Sequence, residues 1–150
     1  MQHRDLDSLD PRMRTRVDVF LFKLKQAEFP VAIIETLREQ DVQDAYYAQG
    51  RDTLENINAL RKKAGLWPIG IKESKKRVTD SRILVYKGVG HGNGMAIDLC
   101  PMAGKIVWWG APVETWERLG TIGEQSLLEW GGRWKTFRDC PHFQYPRKDL

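Results

Sequence analysis

The sequence predicts an α+β fold, with N-terminal helices packed on a small antiparallel sheet. Three observations lead there. Apolar residues at helical spacing dominate the first part of the chain, while short β-branched or alternating runs gather later. That separation, rather than strict alternation of strand and helix, favours an antiparallel sheet over a parallel one. The length, 150 residues at 41% hydrophobic, suits one domain with one core.

The elements follow in order. Ser8 or Asp10 is placed to cap a first helix and Pro11 suits its first turn, while Met13, Val17, Phe20, Leu21 and Leu24 form one apolar face. Phe29-Pro30 ends it, and Val31 to Ile34 reads as a buried strand. Arg38 to Tyr47 reads as a second helix. Thr53 caps a third, which Gly65 stops. Residues 70–94 form a long basic loop with a strand near Ile83 to Tyr86. Met95 to Leu99 is a strand whose partner is Ile106 to Trp109. Thr115 to Leu119 and Gly123 to Leu128 suggest two short helices, and His142 to Tyr145 a last strand. One domain is expected over 1–150, with 1–10 as a flexible tail.

Composition narrows the function. Net charge is +4, but the basic residues are scattered and the clusters Arg61-Lys62-Lys63 and Lys75-Lys76-Arg77 are short, so no nucleic-acid face is expected. No apolar run is long enough for stable membrane insertion. The polar start is not a signal peptide, which implies synthesis in a cytoplasm. Cys100 and Cys140 are expected as free thiols.

The chain has three histidines. His3 falls in the polar tail. His91 opens Gly90-His91-Gly92-Asn93-Gly94-Met95-Ala96-Ile97-Asp98, a glycine-rich turn followed by a strand that carries Asp98. His142 follows Asp139-Cys140-Pro141. Imidazole nitrogens and a carboxylate oxygen are good Zn²⁺ ligands, and three protein ligands leave a position open for water. Asp139, three residues before His142, is a candidate general base. Alternatives remain at this level: His91 capping a turn, His142 as a hydrogen-bonded edge residue, or a structural zinc site using the cysteines.

Several motifs in register resemble one family. Tyr46-Tyr47-Ala48-Gln49-Gly50-Arg51, His91-x-x-Gly94-x-Ala96-x-Asp98-Leu99, Trp130-Gly131-Gly132-x-Trp134 and Asp139-x-Pro141-His142-Phe143 resemble the M15 peptidases, over residues 30–145. They are most similar to the L-alanyl-D-glutamate endopeptidase branch of phage endolysins and bacterial wall hydrolases. The resemblance implies a hedgehog/DD-peptidase-like fold and one zinc held by His91, Asp98 and His142. It implies Asp139 as base, and Arg51, with Gln49 beside it, facing the substrate or the oxyanion. Glu129 is read as a supporting residue or alternative base. Val89 stands where the family has a serine. The implied partner is bacterial peptidoglycan, reached by a monomeric enzyme released through holin pores. The rival readings are a D,D-carboxypeptidase or dipeptidase of the same superfamily, and a non-catalytic module stabilised by zinc.

Overall fold

The computed structural model describes residues 2–150. Helix α1 spans Pro11–Gln26, capped by the Asp10 side chain, which accepts from the Arg12 amide. Its Met13, Val17, Phe20 and Leu24 are buried, as the spacing predicts. Strand β1 is Val31–Glu35, and α2 (Gln40–Ala48), α3 (Leu54–Lys63) and the short α4 (Ile71–Ser74) follow. The Thr53 hydroxyl accepts from the Asn56 amide to start α3, and Gly65 (φ 71°) takes up the left-handed turn that ends it.

The remaining elements are β2 (Ala96–Ala103), β3 (Ile106–Val107), α5 (Val113–Gln125), β4 (Glu129–Trp130) and β5 (His142–Gln144). The strand order is β1-β2-β5-β4, with β3 folded back on the end of β2, and every pairing is antiparallel.

Register decides which residues share a face. Asp98 pairs with His142, Ile97 with Phe143 and Ala96 with Gln144, while Glu129 and Trp130 pair with Gln144 and Phe143. Alternation then puts Ile97, Phe143 and Trp130 on one side and Asp98, His142, Gln144 and Glu129 on the other. The apolar side meets α1 and α5: Phe20 and Phe143 lie with ring centroids 4.8 Å apart, and Trp130 stacks beyond. Burying each such ring stabilises by about 1.5–3 kcal/mol. Helix α5 comes very close. A Cβ on Gly120 would fall 2.3 Å from the Trp130 ring, and one on Gly123 2.3 Å from Phe143. A second small core, with Val42, Ala45 and Ala64 buried, joins α2 to α3.

Four expectations need correction. The region 113–125 is one helix, not two: its glycines are close-packing positions rather than stops. Ile83 to Tyr86 form no strand; Ile83 and Tyr86 are more than half exposed, and the pairing there is a single bridge from Tyr86 to Val89. Strand β1 is only partly buried until Glu35. The stretch expected as a flexible tail packs on the domain from residue 2 onward. Gln2 bridges Arg38, the His3 carbonyl accepts from the Thr36 amide, and Leu9 is buried. Met1 lies outside the described residues. Both cysteines are free. No described helix is long and apolar enough to cross a membrane.

Candidate metal centre and cleft

The polar face of the sheet carries the site. His91 leads a short helical turn, His91–Asn93, just before β2, and its ring reaches Asp98 across that turn. His91 Nε2 lies 3.1 Å and His142 Nδ1 3.2 Å from the same oxygen, Asp98 Oδ1. One ligand atom from each of the three residues falls within 4.8 Å of the others.

The outer nitrogens orient the rings. His91 Nδ1 donates to the Thr36 carbonyl at 2.7 Å, and His142 Nε2 donates to Gln144 Oε1 at 2.9 Å. Each ring thereby turns its other nitrogen toward Asp98. The amide of Gln144 donates in turn to Glu129 Oε2 at 3.4 Å, and Trp134 Nε1 donates to Glu129 Oε1 at 3.1 Å. This is the second layer of bonding that fixes tautomer and aim in metal sites.

Electrostatics fit a cation. Burial works against the Asp98 carboxylate, yet His91 and His142 outweigh it and hold the group well below the usual range. Burial likewise opposes a charged His142, but Asp98 overrides it and raises its basicity. The trio therefore attracts positive charge to its centre. With both outer N–H groups committed to carbonyl acceptors, two imidazole lone pairs and a carboxylate suit a divalent ion such as zinc.

Asp139 lies in the same cleft and is mostly withdrawn from water. Its carboxyl is pushed up by burial and then by Asp98, against the pull of His142, His91 and Arg38. A cation among the three ligands would draw it back down. Its backbone is tied into the site: the Asp139 carbonyl accepts from the His142 amide at 3.2 Å. The cleft holds about 360 Å³ and is lined by His91, Asp98, Asp139, His142, Trp134 and residues of the 79–90 segment. Arg38, Ile83 and Leu84 also border a neighbouring groove of about 630 Å³.

The structure brings His91, Asp98, His142 and Asp139 together, with Glu129 behind His142. It does not bring Arg51 or Gln49 to them. Arg51 Nη1 donates to the carbonyls of Tyr47 (2.8 Å) and Thr79 (3.0 Å), and its guanidinium lies 4.0 Å from the Tyr47 ring centroid. Gln49 is buried and donates to the Glu73 carbonyl. Arg51 braces the 79–90 segment and Gln49 holds α4, instead of entering the cleft. Their motif sits at the end of α2, where the chain turns away into α3. The arginine that does reach the trio is Arg38, paired with Glu35, hydrogen-bonded to Gln43 and 3.9 Å from Asp98 Oδ2. Sequence reasoning missed Arg38, which no motif marks. It also missed Gln144, although that residue lies two after His142 on a strand and must share its face. Val89 is buried against the main core while bordering the cleft, so no hydroxyl stands there.

The trio at the base of this cleft could hold a metal ion. Residues 90–145, which contain the whole trio and Asp139, match the M15 peptidase family model described as D-alanyl-D-alanine carboxypeptidase. Over that stretch the chain is similar to the M15 peptidases. Its fold is similar to that of the L-Ala D-Glu endopeptidase ChiX of Serratia marcescens. That likeness has a TM-score of 0.61 at 21% identity, over 99% of this chain and 91% of that one. It is also similar to the LdcB LD-carboxypeptidase, with a TM-score of 0.52 at 9% identity, over 91% of this chain and 58% of that one.

Proposed function

We propose that this chain is a zinc-dependent peptidoglycan endopeptidase that hydrolyses the L-alanyl-D-glutamate bond of the wall stem peptide. The observation that carries the reading is the convergence of His91, Asp98 and His142 within 4.8 Å in a cleft that also holds Asp139. The fold likeness to an L-Ala D-Glu endopeptidase supports the choice of bond.

His91, Asp98 and His142 would hold the ion, which supplies Lewis acidity to polarise the scissile carbonyl and acidify the attacking water. Asp139 accepts a proton from that water as its oxygen bonds to the carbonyl carbon. It returns the proton to the departing amine nitrogen as the C–N bond breaks. Gln144 and Glu129 keep the His142 ring aimed, Thr36 does the same for His91, and Trp134 closes one side of the cleft against water. Glu129 is spent on Gln144 and Trp134, which favours Asp139 over it as base. Arg51 contributes by bracing the cleft wall at Thr79.

The description of the matching family model favours a second reading, a D,D-carboxypeptidase. Product analysis on defined muropeptides separates the two. A new L-Ala carboxyl end and a new D-Glu amine support the endopeptidase; released D-Ala replaces it with the carboxypeptidase. Loss of hydrolysis on verified metal removal, with recovery on added Zn²⁺, is expected. Full activity after the metal has left would overturn metal dependence. The resemblance to phage lysins extends the proposal to an endolysin released to the wall through holin pores, acting as a monomer.

A further inference from the structure

The cleft lining is mixed in charge, with Asp80, Asp98 and Asp139 beside Arg38 and Arg147. The floor carries Asp98 and Asp139, so a free carboxylate on a substrate would be repelled there. Two arginines line the cleft. Arg38 is already matched, bound to Glu35 and close to Asp98. Arg147 is not: among the described residues it makes no ion pair.

Arg147 is nonetheless held in place. It begins the turn that follows β5, just past the buried Tyr145, and its Nε donates to the Tyr86 carbonyl at 3.0 Å. The guanidinium sits 5.0 Å from the centroid of the Tyr86 ring. With Nε occupied, Nη1 and Nη2 make no hydrogen bond to a described residue, and the side chain is only half-buried. A planar cation fixed through one edge, with its other N–H groups open to a cleft, suits a carboxylate better than a neutral amide.

We propose that Arg147 receives the free carboxylate of the stem peptide beside the scissile bond, so that the enzyme selects acidic over amidated wall peptides. The inference rests on the reading of the chain as a stem-peptide endopeptidase, and it deepens that reading by naming a specificity residue. Arg147 lies beyond residues 90–145, the stretch that matches the family model.

The test uses the zinc-loaded enzyme and two synthetic stem peptides of equal length, one whose D-glutamate bears a free α-carboxylate and one bearing the α-carboxamide. The native enzyme should cleave the acid with kcat/KM about tenfold or more above the amide, the scale of one charge-assisted hydrogen bond. Arg147→Gln should lose that preference by slowing the acid peptide while leaving the amide peptide unchanged, mostly through KM. Arg147→Lys should keep part of it. Thermal melts of both variants should match the native protein. Equal slowing of both peptides by Arg147→Gln, or no slowing of either, would overturn the assignment. Cleavage of both peptides by the native enzyme with no preference would overturn it too, while leaving the endopeptidase reading intact. A native enzyme that cuts neither peptide removes the endopeptidase reading and this inference with it.

Discussion

The two walls of the cleft are built by different means. One wall is the sheet, where Asp98, His142, Gln144 and Glu129 are placed by strand register. The other is the irregular 79–90 segment, which has no ladder of its own. Side chains from α2 and its end hold it through backbone carbonyls: Gln40 on Arg82, Gln43 on Ser81 and Arg51 on Thr79. A wall made by register fixes side chains to the pleat and suits chemistry that needs placed ligands. A wall held by a few long side chains can adjust, and suits substrate selection.

This contrast is open to direct attack. The largest effect belongs to the sheet wall: Asp98→Ala should abolish both hydrolysis and retained zinc, measured by elemental analysis beside a turnover assay. Zinc retained at full stoichiometry would break the assignment of the centre. Asp139→Asn should lower kcat by about 10²–10⁴ while metal stays bound, as expected for a lost general base. Next, Gln144→Ala should weaken zinc affinity or activity by about 10- to 100-fold through the loosened His142 ring, read by competition with a chelating dye. On the opposite wall, Arg51→Ala should cost about tenfold or less in kcat/KM, the scale of hydrogen bonds from a partly exposed cation. Zinc affinity should be unchanged, and proteolytic nicking between residues 75 and 90 should rise. If Arg51→Ala instead matched Asp139→Asn, the two walls would not divide the work in this way.

The smallest effect lies behind the sheet, at the start of α1. Asp10→Ala should destabilise by about 0.5–2 kcal/mol through the lost cap. Hydrogen bonding from Arg12 lowers the Asp10 pKa. The carboxylate therefore contributes its full stability above the ordinary aspartate value of about 4. That contribution fades as pH falls through the depressed folded value. Melting curves of native and variant proteins should converge in acid and separate near neutrality.

The same division explains what the sequence disclosed. The apolar stripe of α1 and the alternation around Asp98 and His142 are periodic, so they announce the helix and the strands, while the trio rests on the resemblance of its motifs to a known family. Arg38 and the bracing role of Arg51 depend on where α2 meets a loop far along the chain, and no local pattern encodes that. The β-branched run at Ile83 to Tyr86 imitates a strand, but among the described residues no neighbouring strand pairs with it. In α5, Gly120 and Gly123 imitate breaks because their purpose lies in a partner surface. Gln144 was legible in principle, since a strand that points His142 into the cleft must point Gln144 the same way.

The glycine face of α5 bears on catalysis from behind. Phe143 and Trp130, against which Gly120 and Gly123 rest, are strand neighbours of His142 and Glu129. One added methyl at either glycine has nowhere to go except into those rings, and the strands carrying them would have to yield. The spacing of the candidate metal ligands is thus gauged partly by an absence of carbon on the far side of the sheet, out of reach of any substrate.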